Sequence, residues 1–186
     1  MLRINLGGVV NGCTSFGRRL QARGEGGHIV NLASAAAFLP SRATPLYGTS
    51  KAAVLALSEN LRAELADDGI AVTAICPGVV DTKIIDDTAF AGGDPDRTRD
   101  AMVALYRRRA YPPAKVAAAI VRAVEGGPAA SPALVPVTPE ARFGYLASRF
   151  TPGLLRRSAR FDPTQTITRL RRGPAAGDTT PIDGDD

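Results

Sequence analysis

Two short apolar runs, His28 to Leu32 and Ile70 to Ile75, flank a stretch from Ala43 to Asp67 that is patterned as one long helix. Strand, long helix, strand is the signature of a parallel βαβ unit, because parallel neighbours need a crossover that returns the chain to the same end of the sheet. A helix from Leu6 to Ala22 leads into the first strand, and Gly24 to Gly27 reads as a helix stop and turn. After the second strand, Pro112-Pro113 opens a helix running to Val124, Gly126-Gly127 stops it, and a strand follows from Ala133 to Val137. Thr138-Pro139-Glu140 then starts a further helix with a capping residue and a proline in its first turn. The expected architecture is α/β with a parallel sheet.

A chain of 186 residues that is 45% hydrophobic can bury the core of one globular domain. Aromatics make up 5% and Trp is absent, which suits Ala/Val-rich packing of helices on a sheet. Cys13, in a helix, and Cys76, ending a strand, read as small buried apolar residues in a reducing compartment. No signal peptide and no run of eighteen apolar residues is present, so the default expectation is a cytoplasmic location. One histidine and two distant cysteines cannot supply a metal ligand set.

The residues that carry chemistry sit on this scaffold. Ser34 ends the first strand, while Tyr47 and Lys51 lie one helical turn apart, so their side chains share a face. Tyrosine is a poor base at neutral pH, and a neighbouring cation is the direct way to favour its phenolate. A carbonyl oxygen bound among the three would meet two hydroxyl donors. Tyr47 would exchange the proton as general acid or base, and Ser34 would orient the oxygen. Simpler readings exist for each residue: Ser34 could cap a loop, Asn5 could cap a helix, and Tyr47 could be a half-buried helix residue with Lys51 beside it. Ser34 as a hydrolase nucleophile fails on context. No Gly-x-Ser-x-Gly elbow surrounds it, and His28 shares its strand face but would lie about 20 Å away. His28 is more simply a structural residue at a strand edge.

Taken together, Asn5-Leu6-Gly7-Gly8-Val9, the run from His28 to Ser34, the run from Tyr47 to Ala53 and the segment from Pro77 to Thr82 resemble the short-chain dehydrogenase/reductase family. The resemblance implies a Rossmann-like, doubly wound sheet and an oxidoreductase that interconverts an alcohol and a carbonyl by hydride transfer with NAD or NADP. In that reading Tyr47 is the acid/base, Ser34 orients the substrate oxygen, and Tyr47 and Lys51 also contact the cofactor, Lys51 by holding the nicotinamide ribose. Asn5 would anchor a relay water. Pro77, Gly78, Val80 and Thr82 would orient the nicotinamide carboxamide, with Gly78 permitting close backbone approach. The family further implies a homo-dimer or homo-tetramer built on the long helix and the one before it. A lid over residues 83–110 would place Ile84, Ile85, Phe90, Met102 and Leu105 in the wall of a pocket for a small apolar alcohol or ketone, unless these are ordinary core residues.

The family's opening strand, Gly-rich turn and helix, which bind the pyrophosphate, have no counterpart here, so the cofactor site is expected to be incomplete. The chain is expected to be a truncated portion of a longer enzyme, a sheet without its amino-terminal strands; a shortened relative without cofactor is the competing explanation. The expected organisation is a partial catalytic domain over residues 1–150, a basic amphipathic extension over 151–172 and a disordered tail over 173–186. From Arg142 onward arginines alternate with Phe143, Tyr145, Leu146, Phe150, Leu154, Leu155 and Phe161, and they supply much of the net charge of +5. That pattern suits weak contact with an anionic membrane surface, or a solvated helix closing the pocket or touching another subunit; nucleic acid is not expected as a partner. The alternative to the oxidoreductase is a catalytically silent binding or oligomerisation protein of the same family, or a peripheral membrane-associated module.

Overall fold

The computed structural model describes residues 1–42, 44–82, 100, 103–104 and 111–159. A short helix α1 (Leu2–Asn5) precedes α2 (Gly7–Arg23), which ends at Gly24 in the left-handed conformation, φ 66°. That terminus is the glycine stop expected from the sequence. Strand β1 (Gly27–Leu32) follows, then a single 3-10 turn (Ala35–Ala37), helix α3 (Pro45–Glu64) and strand β2 (Ile70–Cys76). After the described loop to Thr82 come α4 (Pro113–Glu125), the short α5 (Gly127–Ala130), β3 (Leu134–Pro136), α6 (Pro139–Phe150) and α7 (Pro152–Ser158). The long helix starts and stops inside the bounds expected from Ala43 to Asp67, because residues 65–69 turn back through a Gly69 N–H to Ala66 carbonyl bond of 3.0 Å. The expected lid and tail lie almost wholly outside the described residues.

The three strands form one parallel sheet in the order β1-β2-β3, with Gly27 paired to Ile70, Leu32 to Ile75 and Cys76 to Pro136. β2 is central and every one of its residues is buried, whereas Leu32 on β1 is 51% exposed. Alternation along the strands separates two cores. Ile29, Val72, Ala74 and Cys76 face α2 and α3, meeting Cys13, Val54 and Leu65; Val30, Ile75 and Val137 face Ala119 and Ala123 of α4. Helices on both faces of a parallel sheet make the doubly wound α/β arrangement expected from the sequence. Fully buried side chains such as Ile70 and Ile75 each contribute about 1.5–3 kcal/mol through area removed from water.

Two polar clusters, one buried and one partly buried, tie the layers together. Beneath α2 and α3, Asn31 donates to Ser58 Oγ at 3.0 Å and lies 3.4 Å from Cys13 Sγ, and Ser58 Oγ donates to the Val54 carbonyl at 2.7 Å. On the other face His28 Nε2 lies 2.8 Å from Thr73 Oγ1, and Thr73 Oγ1 donates to the Pro132 carbonyl at 2.6 Å. Since that hydroxyl proton goes to Pro132, His28 Nε2 must be the donor to Thr73, which leaves Nδ1 unprotonated. Nδ1 is buried without a partner, and burial, with the nearby Arg62 guanidinium second, lowers the His28 pKa. The unfolded chain therefore takes up this proton at a higher pH than the folded one, near 6.5 against a lower value. Stability should be constant with respect to His28 above that pH, fall as the pH drops through the lowered folded pKa, then level off. Thermal midpoints between pH 7.5 and 4.5 should show a shallower fall for His28→Gln; identical slopes for the two proteins would assign the acid sensitivity to other groups.

Candidate active site

Pro45 supplies the first turn of α3, whose start is positioned by close contact with the 3-10 turn: a Cβ on Gly48 would lie 3.3 Å from the Ala36 carbonyl oxygen. This contact sets Ser34, the cap of that turn, beside the helix that carries Tyr47 and Lys51. Ser34 is buried, and its Oγ accepts the Ala36 N–H at 3.2 Å. The capping role is thus real, and it uses an acceptor position while the hydroxyl proton remains a donor.

Tyr47 and Lys51 are both half-buried on one face of α3, with Lys51 Nζ 5.9 Å from the centre of the Tyr47 ring. Lys51 Nζ donates to the Leu32 carbonyl at 2.8 Å, at the end of β1. One of its three protons is therefore anchored to the sheet, which fixes the ammonium beside the phenol. Burial lowers the Lys51 pKa. Cys76 lies close enough to act on it in the opposite sense, but burial pushes that thiol up to about 12 against the pull of the Ser34 N–H. At neutral pH Cys76 is a neutral thiol and offers Lys51 no counter-charge.

Asn5 reaches the same helical turn from α1: its Nδ2 donates to Ser50 Oγ at 3.2 Å, and Ser50 Oγ donates to the Tyr47 carbonyl at 2.7 Å. Ser50 is fully buried and was not singled out in the sequence. Its position directly before Lys51 and three residues after Tyr47 is the signal that could have found it. Ser34, Tyr47, Lys51 and Asn5 are thereby gathered around the carboxyl end of β1 and the first two turns of α3.

The segment after β2 is held differently from the expectation for Gly78. The Gly78 N–H donates to Thr138 Oγ1 at 3.1 Å and the Val79 N–H donates to Glu140 Oε1 at 2.9 Å. A Cβ on Gly78 would lie 2.4 Å from Thr138 Oγ1 and 2.5 Å from Glu140 Oε1, so the close approach that needs glycine here is to the start of α6. Thr138 is fully buried and also accepts the Ala141 N–H at 3.3 Å as the cap of α6. The Pro77 carbonyl accepts the Ala35 N–H at 2.8 Å, and the Asp81 N–H donates to the Tyr111 carbonyl at 3.0 Å. These bonds fix the backbone around Val80 and Thr82. Thr138 and Glu140 were legible as a helix start, but not as the clamp on a loop sixty residues away.

A concavity of about 450 Å³ lies on the other side of the sheet, between α4 and β3, lined by Tyr111, Lys115, Arg122 and Arg142 among others. It includes none of the catalytic candidates. Among the described residues no group of histidine, cysteine and carboxylate side chains could hold a metal ion, and no helix is long and apolar enough to cross a membrane.

The family model described as short chain dehydrogenase matches residues 1–89. A protein of Mycobacterium tuberculosis named "Probable oxidoreductase EphD" is 47% identical over 165 residues, covering 86% of this chain and 27% of that relative. Among solved structures, a short-chain dehydrogenase/reductase from Burkholderia phymatum in complex with NAD superposes with a TM-score of 0.66 at 21% identity, over 95% of this chain and 60% of that one, a likeness of fold. A putative NAD(P)-dependent gluconate 5-dehydrogenase from Beutenbergia cavernae, with bound NADP, gives a TM-score of 0.58 at 28% identity over 78% of this chain and 56% of that one. The chain therefore spans about a quarter of the length of the curated relative and somewhat over half of each solved one. Residues 1–89 thus match the short chain dehydrogenase family, and the parallel sheet has the fold of its solved members.

Proposed function

We propose that this chain carries the proton-transfer half of an NAD- or NADP-dependent oxidoreductase that interconverts an alcohol and a carbonyl. The observation that supports it best is the fixed Lys51 ammonium, bonded to the Leu32 carbonyl at 2.8 Å and 5.9 Å from the Tyr47 ring, on a helix packed against the turn capped by Ser34. The residues present fit a nicotinamide nucleotide in part. Lys51 retains two ammonium protons for ribose hydroxyls, and the clamped backbone presents Val80 and Thr82 to a carboxamide. Pro77 and Gly78 serve by fixing that backbone. Among the described residues no Gly-rich turn leads from a strand into a helix, so a pyrophosphate site of the usual kind is not among them. When bound, the nicotinamide supplies or accepts the hydride.

The chain's own residues handle the proton. The Tyr47 hydroxyl donates its proton to the oxygen of a carbonyl substrate, and in the reverse direction the deprotonated phenol oxygen takes the proton of an alcohol, with the Lys51 ammonium held beside the ring. The Ser34 hydroxyl donates to the same oxygen and stabilises its developing charge. Asn5, tied to Ser50, holds the entry to a proton relay beside Lys51. The substrate class is a small apolar alcohol or ketone, and the working assembly is a homo-dimer or homo-tetramer through α2 and α3, whose exposed Val10, Phe16 and Leu46 suit such a contact.

Titration of the purified chain with NADH and NADPH, followed by nicotinamide fluorescence and thermal midpoint together, tests the reading. Saturable binding with a rise in midpoint is expected if this chain holds the nucleotide through Lys51 and the clamped loop. A folded chain that binds neither nucleotide would favour the silent binding or oligomerisation protein.

A further inference from the structure

Helix α6 turns an apolar stripe away from the protein. Its packed side is small: Ala141 is fully buried, Gly144 lies under Leu39, and Tyr145 meets Phe38 edge to face at 5.6 Å. On the opposite side Phe143 is 75% exposed, Leu146 54% and Phe150 79%, and Leu154 of α7 is 68% exposed. At about 100° per residue, Phe143, Leu146 and Phe150 fall within roughly 60° of one another, nearly opposite Ala141 and Ser148. Single exposed apolar residues need no explanation, but a contiguous stripe of them marks an interaction surface.

The charge beside the stripe indicates what it meets. Arg142 and Arg149, two turns apart, line one flank of α6, and Arg156 and Arg157 lie in the last turn of α7. Arg142 Nε donates to the Pro136 carbonyl at 3.3 Å, and the Arg149 guanidinium lies 5.6 Å from the Tyr145 ring centre. Both contacts steady the side chain and neither neutralises it. The only acidic residue from Pro139 to Ala159 is Glu140, which is committed to the Val79 N–H. A second copy of this surface would bring four more arginines and no free carboxylate, so self-association would bury the stripe against like-charge repulsion. An anionic bilayer meets both needs: phenyl and leucyl side chains enter the boundary between headgroups and acyl chains while guanidinium groups pair with lipid phosphates.

We propose that the α6–α7 surface docks this protein on an anionic lipid bilayer, with Phe143, Leu146, Phe150 and Leu154 entering the interface and Arg142, Arg149, Arg156 and Arg157 bonding headgroup phosphates. This goes beyond the proton-transfer reading and stands on residues outside that site. Flotation of the whole chain with vesicles of phosphatidylcholine alone, or with 30% phosphatidylserine, tests it at low and physiological salt. The protein should float with the anionic vesicles, more at low salt, and remain behind with neutral ones. Each single Arg→Gln change should weaken the partition about fivefold, and Phe143→Ser/Phe150→Ser should abolish it while leaving the circular dichroism spectrum unchanged, since both residues are exposed. Equal flotation with neutral vesicles, or full flotation of the double serine variant, would overturn the proposal. So would a folded protein that ignores anionic vesicles, and a dimer in sedimentation velocity that dissolves in the serine variant would then assign the stripe to a second copy.

Discussion

Tyr47→Phe is expected to lower NAD(P)-dependent turnover by about a hundredfold or more, the usual worth of a positioned proton donor. The substitution is conservative in packing. It keeps the half-buried ring near Lys51 Nζ, and Ser50 still bonds to the backbone carbonyl at position 47 rather than to the phenol. Only the O–H is removed. Nucleotide affinity and the thermal midpoint should therefore stay close to those of the parent, and the loss should appear in kcat at saturating substrate. The measurement belongs on the protein in the length that shows activity, because the chain spans 27% of its oxidoreductase relative. Full turnover in the phenylalanine variant would remove Tyr47 as the acid/base, and the proposed mechanism with it.

Gly78→Ala should be the most damaging single methyl group that can be added near the site. The new Cβ would sit 2.4 Å from Thr138 Oγ1 and 2.5 Å from Glu140 Oε1. Thr138 is fully buried, branched at Cβ and already committed as the cap of α6, so it has little room to yield. Overpacking of this kind costs about 1–3 kcal/mol. Displacing the two side chains also threatens the N–H bonds of Gly78 and Val79, each worth about 1 kcal/mol. A total loss of roughly 2–4 kcal/mol should shift the urea midpoint without changing the slope. Glu140 is the more yielding neighbour, so Gly78→Ala/Glu140→Ala should be less destabilised than the sum of the two single changes by about 0.5 kcal/mol or more. An effect within about 0.5 kcal/mol for Gly78→Ala alone would mean that the loop and α6 do not dock as closely as the structure shows.

Much of the scaffold was readable because its signals are local. The Gly24 stop, the Pro113 helix start and the Thr138 cap are decided by residues within a turn of where they act. The boundaries moved by only a few residues, mainly where the turn over residues 65–69 shortens the long helix. The shared face of Tyr47 and Lys51 follows from helical period alone. What Ser34 does was open between a cap and a substrate-orienting hydroxyl, and the structure shows the cap. The two roles use different sides of the same oxygen.

The sequence by itself therefore determined the order and type of the longer helices and the three strands and the pairing of phenol with ammonium, since these depend on spacing along a single helix or strand. Tertiary structure alone decided the rest. Asn5 meets Ser50 across 45 residues, Lys51 meets the Leu32 carbonyl across 19, and Val79 meets Glu140 across 61. Such contacts depend on strand order, on which helix lies on which face, and on how closely a backbone without a Cβ lets another element approach. The same is true of α6: its composition shows an amphipathic helix, but only its packing on Leu39 and Phe38 shows that the small residues face inward and the phenylalanines face out.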